Sequence, residues 1–252
     1  MFVLVISNRK GGAGKTTVSV NVAAEFAAKG RRVLLVDLDS QGHCAVGLGI
    51  KVEAGQTTSH DIFTPNSSHI SHAVRETTIP NLFLLPANPA FQHHNSGNDE
   101  SCLARALADH DIVNRFDLVI IDTPPSLDNL LLNALSAAHW VLVPYVPHPL
   151  SFEGVRQLVR VLFKVISEKN PNLKILGFLP IMTADHIRQH KLVTQQVTKQ
   201  FGALRVLTGI RTDIKLAEAF AAGKPVRFYA PKSRGAEDFA QLADVLIELI
   251  EK

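Results

Sequence analysis

The 252-residue chain predicts a doubly wound α/β fold, a mostly parallel sheet with helices on both faces. Three observations point there. Short apolar, β-branched runs alternate with longer amphipathic ones, and continuous apolar strands belong to sheets covered on both sides. The first run, Phe2–Ile6, leads into Lys10-Gly11-Gly12-Ala13-Gly14-Lys15-Thr16-Thr17 and then a helix-like run. Strand, glycine loop and Lys-Thr at a helix start form a phosphate cradle. Two further apolar runs end in Asp37-Leu38-Asp39 and in Asp122, where parallel strands meet a ligand crevice.

In chain order the expected strands are Phe2–Ile6, Arg32–Val36, Leu82–Leu85, Leu118–Ile121, Trp140–Val146 and Ile175–Ile181, with Leu204–Leu207 as a further candidate. Helix-like segments fall near 16–29, 101–114, 127–137, 152–168, 188–201, 213–222 and 235–250. Thr212 is the expected cap of the helix beginning near Asp213, and Gly223 and Pro225 end it. Ser233 is placed to cap the last helix, where Phe239, Leu242, Leu246, Leu249 and Ile250 form one apolar stripe. Gly49–Ile70 and Asn88–Ser101 read as irregular. With no repeat and no linker-like break, residues 1–252 are expected to form a single domain.

Composition is that of an ordinary globular chain, 46% hydrophobic and 19% charged. No apolar run reaches the ~18–20 residues that cross a bilayer. A strand begins almost at the first residue, which leaves no room for a signal peptide. Cys44 and Cys102 are isolated and suggest no disulfide or metal framework, so a reduced, cytoplasmic setting is expected. Both cysteines read as buried small hydrophobes, and Trp140 and Tyr145 as packing residues. The net charge of +3 is unevenly placed: His186–Arg234 holds ten basic residues against two acidic ones, a local +8 that leaves −5 elsewhere. Such asymmetry suits a polyanion. Without a helix-turn-helix or zinc spacing, DNA contact would be to phosphates and blind to sequence.

The glycines Gly11, Gly12 and Gly14, with Ala13 between them, let backbone N–H groups turn toward an anion. Lys15 is expected on the β- and γ-phosphates, Thr16 on Mg²⁺ and Thr17 on an inner phosphate. The ordinary pattern, G-x-x-x-x-G-K-[ST], needs Gly at position 9, where this chain has Arg9, and a second lysine, Lys10, precedes the glycines. Asp39 suits orientation of an attacking water, while Asp37 reads equally as a ligand-facing carboxylate or a strand-end turn. Asp122 ends a buried strand in the Walker-B manner and is expected to hold Mg²⁺, with Thr123-Pro124-Pro125 as a stiff turn beside it. His93 and His94 have no partner at metal-ligand spacing and read as a solvated loop.

At these residues the chain resembles the ParA/MinD group of P-loop ATPases, whose Walker A box is deviant. The resemblance covers Lys10–Thr17, Val36–Gly42, Val119–Pro125, Ile210–Ala219, Gly223–Pro225 and Ser233–Glu237, and the last three segments favour the ParA/Soj branch. It implies the doubly wound fold, ATP and Mg²⁺ as ligands, and a homodimer closed around two ATP molecules, with Lys10 crossing to the partner's nucleotide. It implies roles for Lys15 on phosphate, Asp39 on the attacking water and Asp122 on Mg²⁺. Arg211 and Arg234 match regions linked to DNA binding, and Arg188, Lys191 and Lys215 are further candidates in the basic segment. Adenine contacts are expected at Met182–Asp185. The implied activity is a slow ATP hydrolysis, stimulated by a ParB-like or other cargo adaptor, that positions a plasmid, chromosome origin, carboxysome or protein cluster on non-specific nucleoid DNA. Ser40 departs from the proline usual after the second Asp, and 186–199 is less family-like.

Other readings are weaker. A MinD-like membrane regulator ends in a basic amphipathic helix, whereas the last helix here carries Glu237, Asp238, Asp244, Glu248 and Glu251, so no stable membrane association is expected. A cluster-carrying or metal-delivery ATPase needs cysteines in a glycine-rich seam, which Cys44 and Cys102 lack. A non-enzymatic scaffold would not need Lys15, Thr16, Asp39 and Asp122 together.

Overall fold

The computed structural model describes residues 1–64, 70–184 and 186–251. Along the chain run β1 (Phe2–Ile6), α1 (Lys15–Ala28), β2 (Val33–Asp37), α2 (His43–Gly47), β3 (Arg75–Glu76), β4 (Leu82–Leu85), α3 (Cys102–Leu107), α4 (His110–Arg115), β5 (Leu118–Asp122), α5 (Asn129–Ala137), β6 (Trp140–Tyr145), α6 (Pro149–Glu168), β7 (Lys174–Pro180), α7 (Arg188–Phe201), α8 (Ile214–Ala221), α9 (Val226–Tyr229) and α10 (Arg234–Ile250). The strands form one sheet in the order β3-β4-β2-β5-β1-β6-β7. Its pairings are parallel apart from β3 on β4.

Successive side chains of a strand point to opposite faces, and both faces here are apolar. Val3, Val5, Leu34, Val36, Val119, Ile121, Val141 and Val143 pack with residues of α3 to α7. Leu4, Ile6, Val33, Leu35, Ile120 and Leu142 pack with residues of α1, α2, α8, α9 and α10. Two buried faces explain the unbroken apolar runs in the sequence. Because β1 lies between β5 and β6, and β2 beside β5, the loops that follow β1, β2 and β5 emerge side by side at one edge.

Several expected elements are revised. The segment 101–114 is two helices, because the Asp109 side chain accepts from the Asp111 backbone N–H and caps a new helix, α4. Leu204–Leu207 is not a regular strand. A short 3₁₀ turn occupies Ala203–Arg205, and Val206 and Arg211 touch Phe178 and Thr183 through isolated parallel bridges. Backbone bonds from Leu207 N to Phe178 O (3.0 Å) and Ile210 N to Pro180 O (2.9 Å) cover the β7 edge, which would otherwise be open to pairing. Asp213, not Thr212, caps α8, its side chain accepting from Lys215 N at 3.0 Å. The short elements β3, α2 and α9 lie outside the expected set; each is too short for its pattern to repeat twice. Ser233 caps α10 as expected, accepting from Ala236 N at 3.2 Å.

Where α8 ends against α2, Gly223 has φ +64° and an added Cβ would lie 2.7 Å from Gly49 Cα. The obstacle is backbone and cannot rotate away. Gly223→Ala should therefore lower unfolding free energy by more than about 1 kcal/mol, and Ser233→Ala by about 1 kcal/mol. Urea midpoints at constant slope are the measurement, and a Gly223→Ala midpoint equal to that of the unaltered protein would contradict this packing.

Candidate functional site

The phosphate cradle follows from local backbone chemistry. Gly12 and Gly14 have φ of +72° and +68°, angles that L side chains rarely adopt. At Gly14 the space is also closed, since an added Cβ would lie 2.2 Å from Ile181 Cδ1, whereas nothing lies within 4 Å of such an atom at Gly11 or Gly12. The loop therefore packs against β7's end on one side and stays open on the other. Lys15 begins α1, a 14-residue helix with no acidic residue in its first turn. Its unpaired N–H groups and dipole complement an anion. A cradle open at Gly11 and Gly12, a lysine at its base and a hydroxyl–carboxylate pair beside it fit a nucleoside triphosphate with a divalent cation.

That pair is Thr16 and Asp122. Thr16 Oγ1 donates to Asp122 Oδ2 at 2.7 Å, and Ser19 Oγ donates to Oδ1 at 2.9 Å. Asp122 is fully buried. Burial raises its pKa, opposed by the two hydroxyl donors and the Lys15 ammonium. Lys15 is buried too, which lowers its pKa, with Asp122 and Asp39 pulling the other way. Thr123 Oγ1 donates to Ile6 O at 2.9 Å, tying the turn after β5 to the end of β1.

Asp37 resolves into a buried structural carboxylate. It accepts from Asp39 N at 3.0 Å and from Cys44 N at 3.1 Å. Burial, then neighbouring Asp122, push its pKa well above the ordinary carboxylate range. It shapes the turn that carries Asp39, which stays half-buried, accepting from Gln41 N at 3.1 Å. Cys44 is buried as expected, yet its Sγ lies 3.5 Å from Asp122 Oδ2. Asp37, Cys44 and Asp122 are the His/Cys/Asp/Glu group found close enough to share a metal ion among the described residues. Burial and both carboxylates push the Cys44 thiol up, away from the thiolate a metal would need. Cys102 is only partly buried, a correction to the expected burial.

Lys10 sits on the rim. Asn8 donates to Pro144 O at 2.7 Å and accepts from Lys10 N at 3.0 Å, which fixes the approach to the loop. Lys10 Nζ donates to Ser151 Oγ of its own chain at 3.4 Å, at the start of α6. Asn8, Ser19 and His60 carry no signal in the sequence, because their contacts to Pro144, to Asp122 and to Leu38 and Asn88 span 136, 103 and 22 to 28 residues.

One of the paired histidines is a correction. His94 is exposed, but His93 is half-buried and bonded. Its Nδ1 lies 2.6 Å from Asp128 Oδ2 and its Nε2 3.3 Å from Ser40 Oγ. His60 is buried and stacked on Phe91 with ring centroids 4.2 Å apart. Its Nδ1 accepts from Asn88 N at 2.9 Å, so Nε2 carries the proton and donates to Leu38 O at 3.2 Å.

The basic candidates are dispersed. Arg188 and Lys191 are exposed in the first turn of α7. Lys215 pairs with Glu218 at 2.7 Å, and Arg234 Nη2 donates to Thr212 O at 3.3 Å. Arg211 is engaged internally: its Nη2 lies 2.7 Å from Asp238 Oδ1 and 2.8 Å from Glu237 Oε2, while Nε bonds Asp238 as well. Of the adenine candidates, Met182 has φ +52° and is half exposed. Thr183 bonds Ile210 O, Ala184 N–H donates to His190 Nδ1 at 3.2 Å, and Asp185 lies outside the described residues.

Burial lowers the pKa of His60 from 6.5 to about 4. Between those values the unfolded chain binds the proton that the folded one refuses, so stability falls as pH drops from 6.5 toward 4. The expected loss is at most about 3 kcal/mol. Comparing urea unfolding of the unaltered protein and His60→Gln at pH 7 and 4.5 isolates it: the variant should lose less, and equal losses would assign the effect elsewhere.

A family model described as an AAA domain matches residues 1–175. The chain is 36% identical over 251 residues to the chromosome-partitioning ATPase Soj of Thermus thermophilus, covering 99% of this chain and 96% of that protein. It is 34% identical over 250 residues to the chromosome partitioning protein ParA of Caulobacter vibrioides, covering 97% and 93%. Among solved structures, one from Mycobacterium smegmatis, described as cobyrinic acid a,c-diamide synthase with bound ADP and magnesium, superposes with a TM-score of 0.81 at 32% identity, covering 100% and 96%. With the cradle, the buried Asp122 and these near end-to-end likenesses, the chain belongs to the ParA/MinD family of P-loop ATPases, on its ParA/Soj branch.

Proposed function

We propose that this chain is a Mg²⁺-dependent ATPase that dimerises with ATP, binds DNA without sequence preference and positions a cargo in the cytoplasm with the help of a hydrolysis-stimulating partner. The observation that carries the reading is the convergence of Lys15, Thr16, Asp39 and Asp122 on one open glycine cradle. Residues 11–15 hold the phosphates with backbone N–H groups and the α1 dipole, and Lys15 neutralises the β- and γ-oxygens. Thr16 and Asp122 would hold Mg²⁺, which would offset charge on a transferring phosphoryl group. Asp39, on the rim, orients the attacking water. Lys10 gives up one hydroxyl contact to reach the partner's nucleotide, as a finger supplied in trans does.

DNA contact rests on Arg188 and Lys191, which pair with no carboxylate among the described residues. Two copies in a dimer would double this charge. Membrane attachment gains nothing from α10, whose Phe239, Leu242, Leu246 and Ile250 are buried. Among the described residues no helix is long and apolar enough to cross a membrane.

Lys15→Ala should abolish ATP binding, measured with a fluorescent analogue. Asp39→Ala should keep nucleotide and the ATP-dependent dimer while turnover falls by about 100-fold or more; normal turnover in Asp39→Ala would remove it from the mechanism. ATP-dependent DNA retention should fall steeply across a salt series. Arg188→Glu with Lys191→Glu should lose DNA and keep nucleotide. Arg211→Glu is a poorer probe, because it strands the nearly buried Asp238 and so lowers stability as well. Retention unchanged by the double substitution would move the DNA surface off α7.

A further inference from the structure

Two features stand outside the mechanism: Ser40, directly after Asp39, and His93, which reads from the sequence as part of a solvated loop. The fold brings them together. β4, β2 and β5 are consecutive in the sheet, so the segment after β4 crosses the end of β2 on its way to the loop after β5. His93 stands at that crossing. Asp128 caps α5, its Oδ1 accepting from Leu131 N at 3.2 Å. A carboxylate only accepts, so His93 Nδ1 carries a proton and donates to Asp128 Oδ2 at 2.6 Å. Nε2 shares a hydrogen bond with the Ser40 hydroxyl at 3.3 Å. Proline at position 40 could not make that bond.

His93 is itself held from both sides. Upstream, Phe91 stacks on the buried His60 ring. Downstream, Ser96 Oγ donates to His93 O at 2.7 Å, and Asn129 Nδ2 donates to Ser96 O at 2.6 Å, on the first turn of α5. Asp39 consequently lies between Leu38, gripped by His60 through its carbonyl, and Ser40, gripped by His93 through its hydroxyl.

We infer that His93 is a positioning residue that joins the Asp39–Ser40 loop to the Thr123–Asp128 loop, so that the water-orienting carboxylate and the turn beside the Mg²⁺ ligand Asp122 move as one unit. The catalytic half of this inference rests on the ATPase reading above; the mechanical half does not. A positioning residue acts on the reacting geometry and leaves ground-state nucleotide contacts alone.

Steady-state kinetics and hydrogen exchange together test it. His93→Ala should lower kcat for ATP about tenfold with KM changed less than about twofold. Ser40→Ala should do the same, and the double variant should lose no more than either single one, because both remove one link. His93→Gln, which keeps a donor and an acceptor, should recover part of the loss. Losses that multiply in the double variant, or kcat unchanged in both single variants, would overturn the link. In the nucleotide-free protein, His93→Ala should speed amide exchange at 39–43 and 124–131 together. Faster exchange confined to 88–96 would show that His93 stabilises only its own loop, and Ser40→Ala, a small change at a half-buried site, provides the same readout should His93→Ala fold poorly. If the unaltered protein hydrolyses no ATP, the ATPase reading falls and the exchange data alone decide the link.

Discussion

One buried carboxylate sets the geometry of the whole nucleotide edge. Asp122 ends the central strand β5 with no exposure to water, and an unpaired charge there would be very costly. Two hydroxyls from α1, Thr16 and Ser19, meet its two oxygens at 2.7 and 2.9 Å. These bonds clamp the first turn of α1 onto the sheet and so fix where the glycine loop must close. Asp37 lies in register beside Asp122 on β2, and the Asp122 charge raises the Asp37 pKa on top of burial. Positive charge brought to this corner relieves that repulsion. The buried Lys15 supplies part of it, and a divalent cation would supply more.

Charge in the sequence and charge in space differ. The basic segment contributes +8 over its own residues, but distant acids consume several of those cations. Arg211 is forked by Asp238 and Glu237, and Arg227 reaches the buried Glu25 at 2.6 Å. The acidic face of α10 has a structural use: Asp244 meets Lys29 at 2.6 Å, and Glu251 pairs with Arg31. These contacts fasten the end of α1 to the last helix, while exposed Arg188 and Lys191 remain for solvent or a polyanion.

What was legible in the sequence had a local signature. Glycine-Lys-Thr after an apolar run encoded the cradle, since glycine takes the positive φ found at Gly12 and Gly14 without steric cost. Strands buried on both faces announced themselves as unbroken apolar runs. The candidate site was legible at Lys15, Thr16, Asp39 and Asp122. Asp37 remained ambiguous, because its role depends on the Cys44 and Asp39 amides folding back over it. His60 and His93 were opaque for a stronger reason: their partners Leu38, Asn88, Ser40 and Asp128 lie 22 to 53 residues away, and no periodicity reports such contacts. The break at Asp109 was missed because a capping side chain inside an apolar period competes with helix propensity without disturbing the pattern.

The two lysines that flank the glycines show how burial separates roles within one residue type. Lys15 is buried at the base of the cradle, where Asp122 and Asp39 favour its charged form. Lys10, half-exposed, holds a single neutral hydroxyl at 3.4 Å. A hydrogen bond of that length and exposure is weak beside the attraction of an ammonium for a triphosphate in a site closed to water. Its own backbone is meanwhile fixed by Asn8, itself anchored to Pro144 of β6. Only the side chain is free to choose, and a fixed root with a movable charge is what a contribution to a neighbouring subunit's nucleotide requires. In the proposed dimer Lys10 would exchange one weak bond for stronger ones.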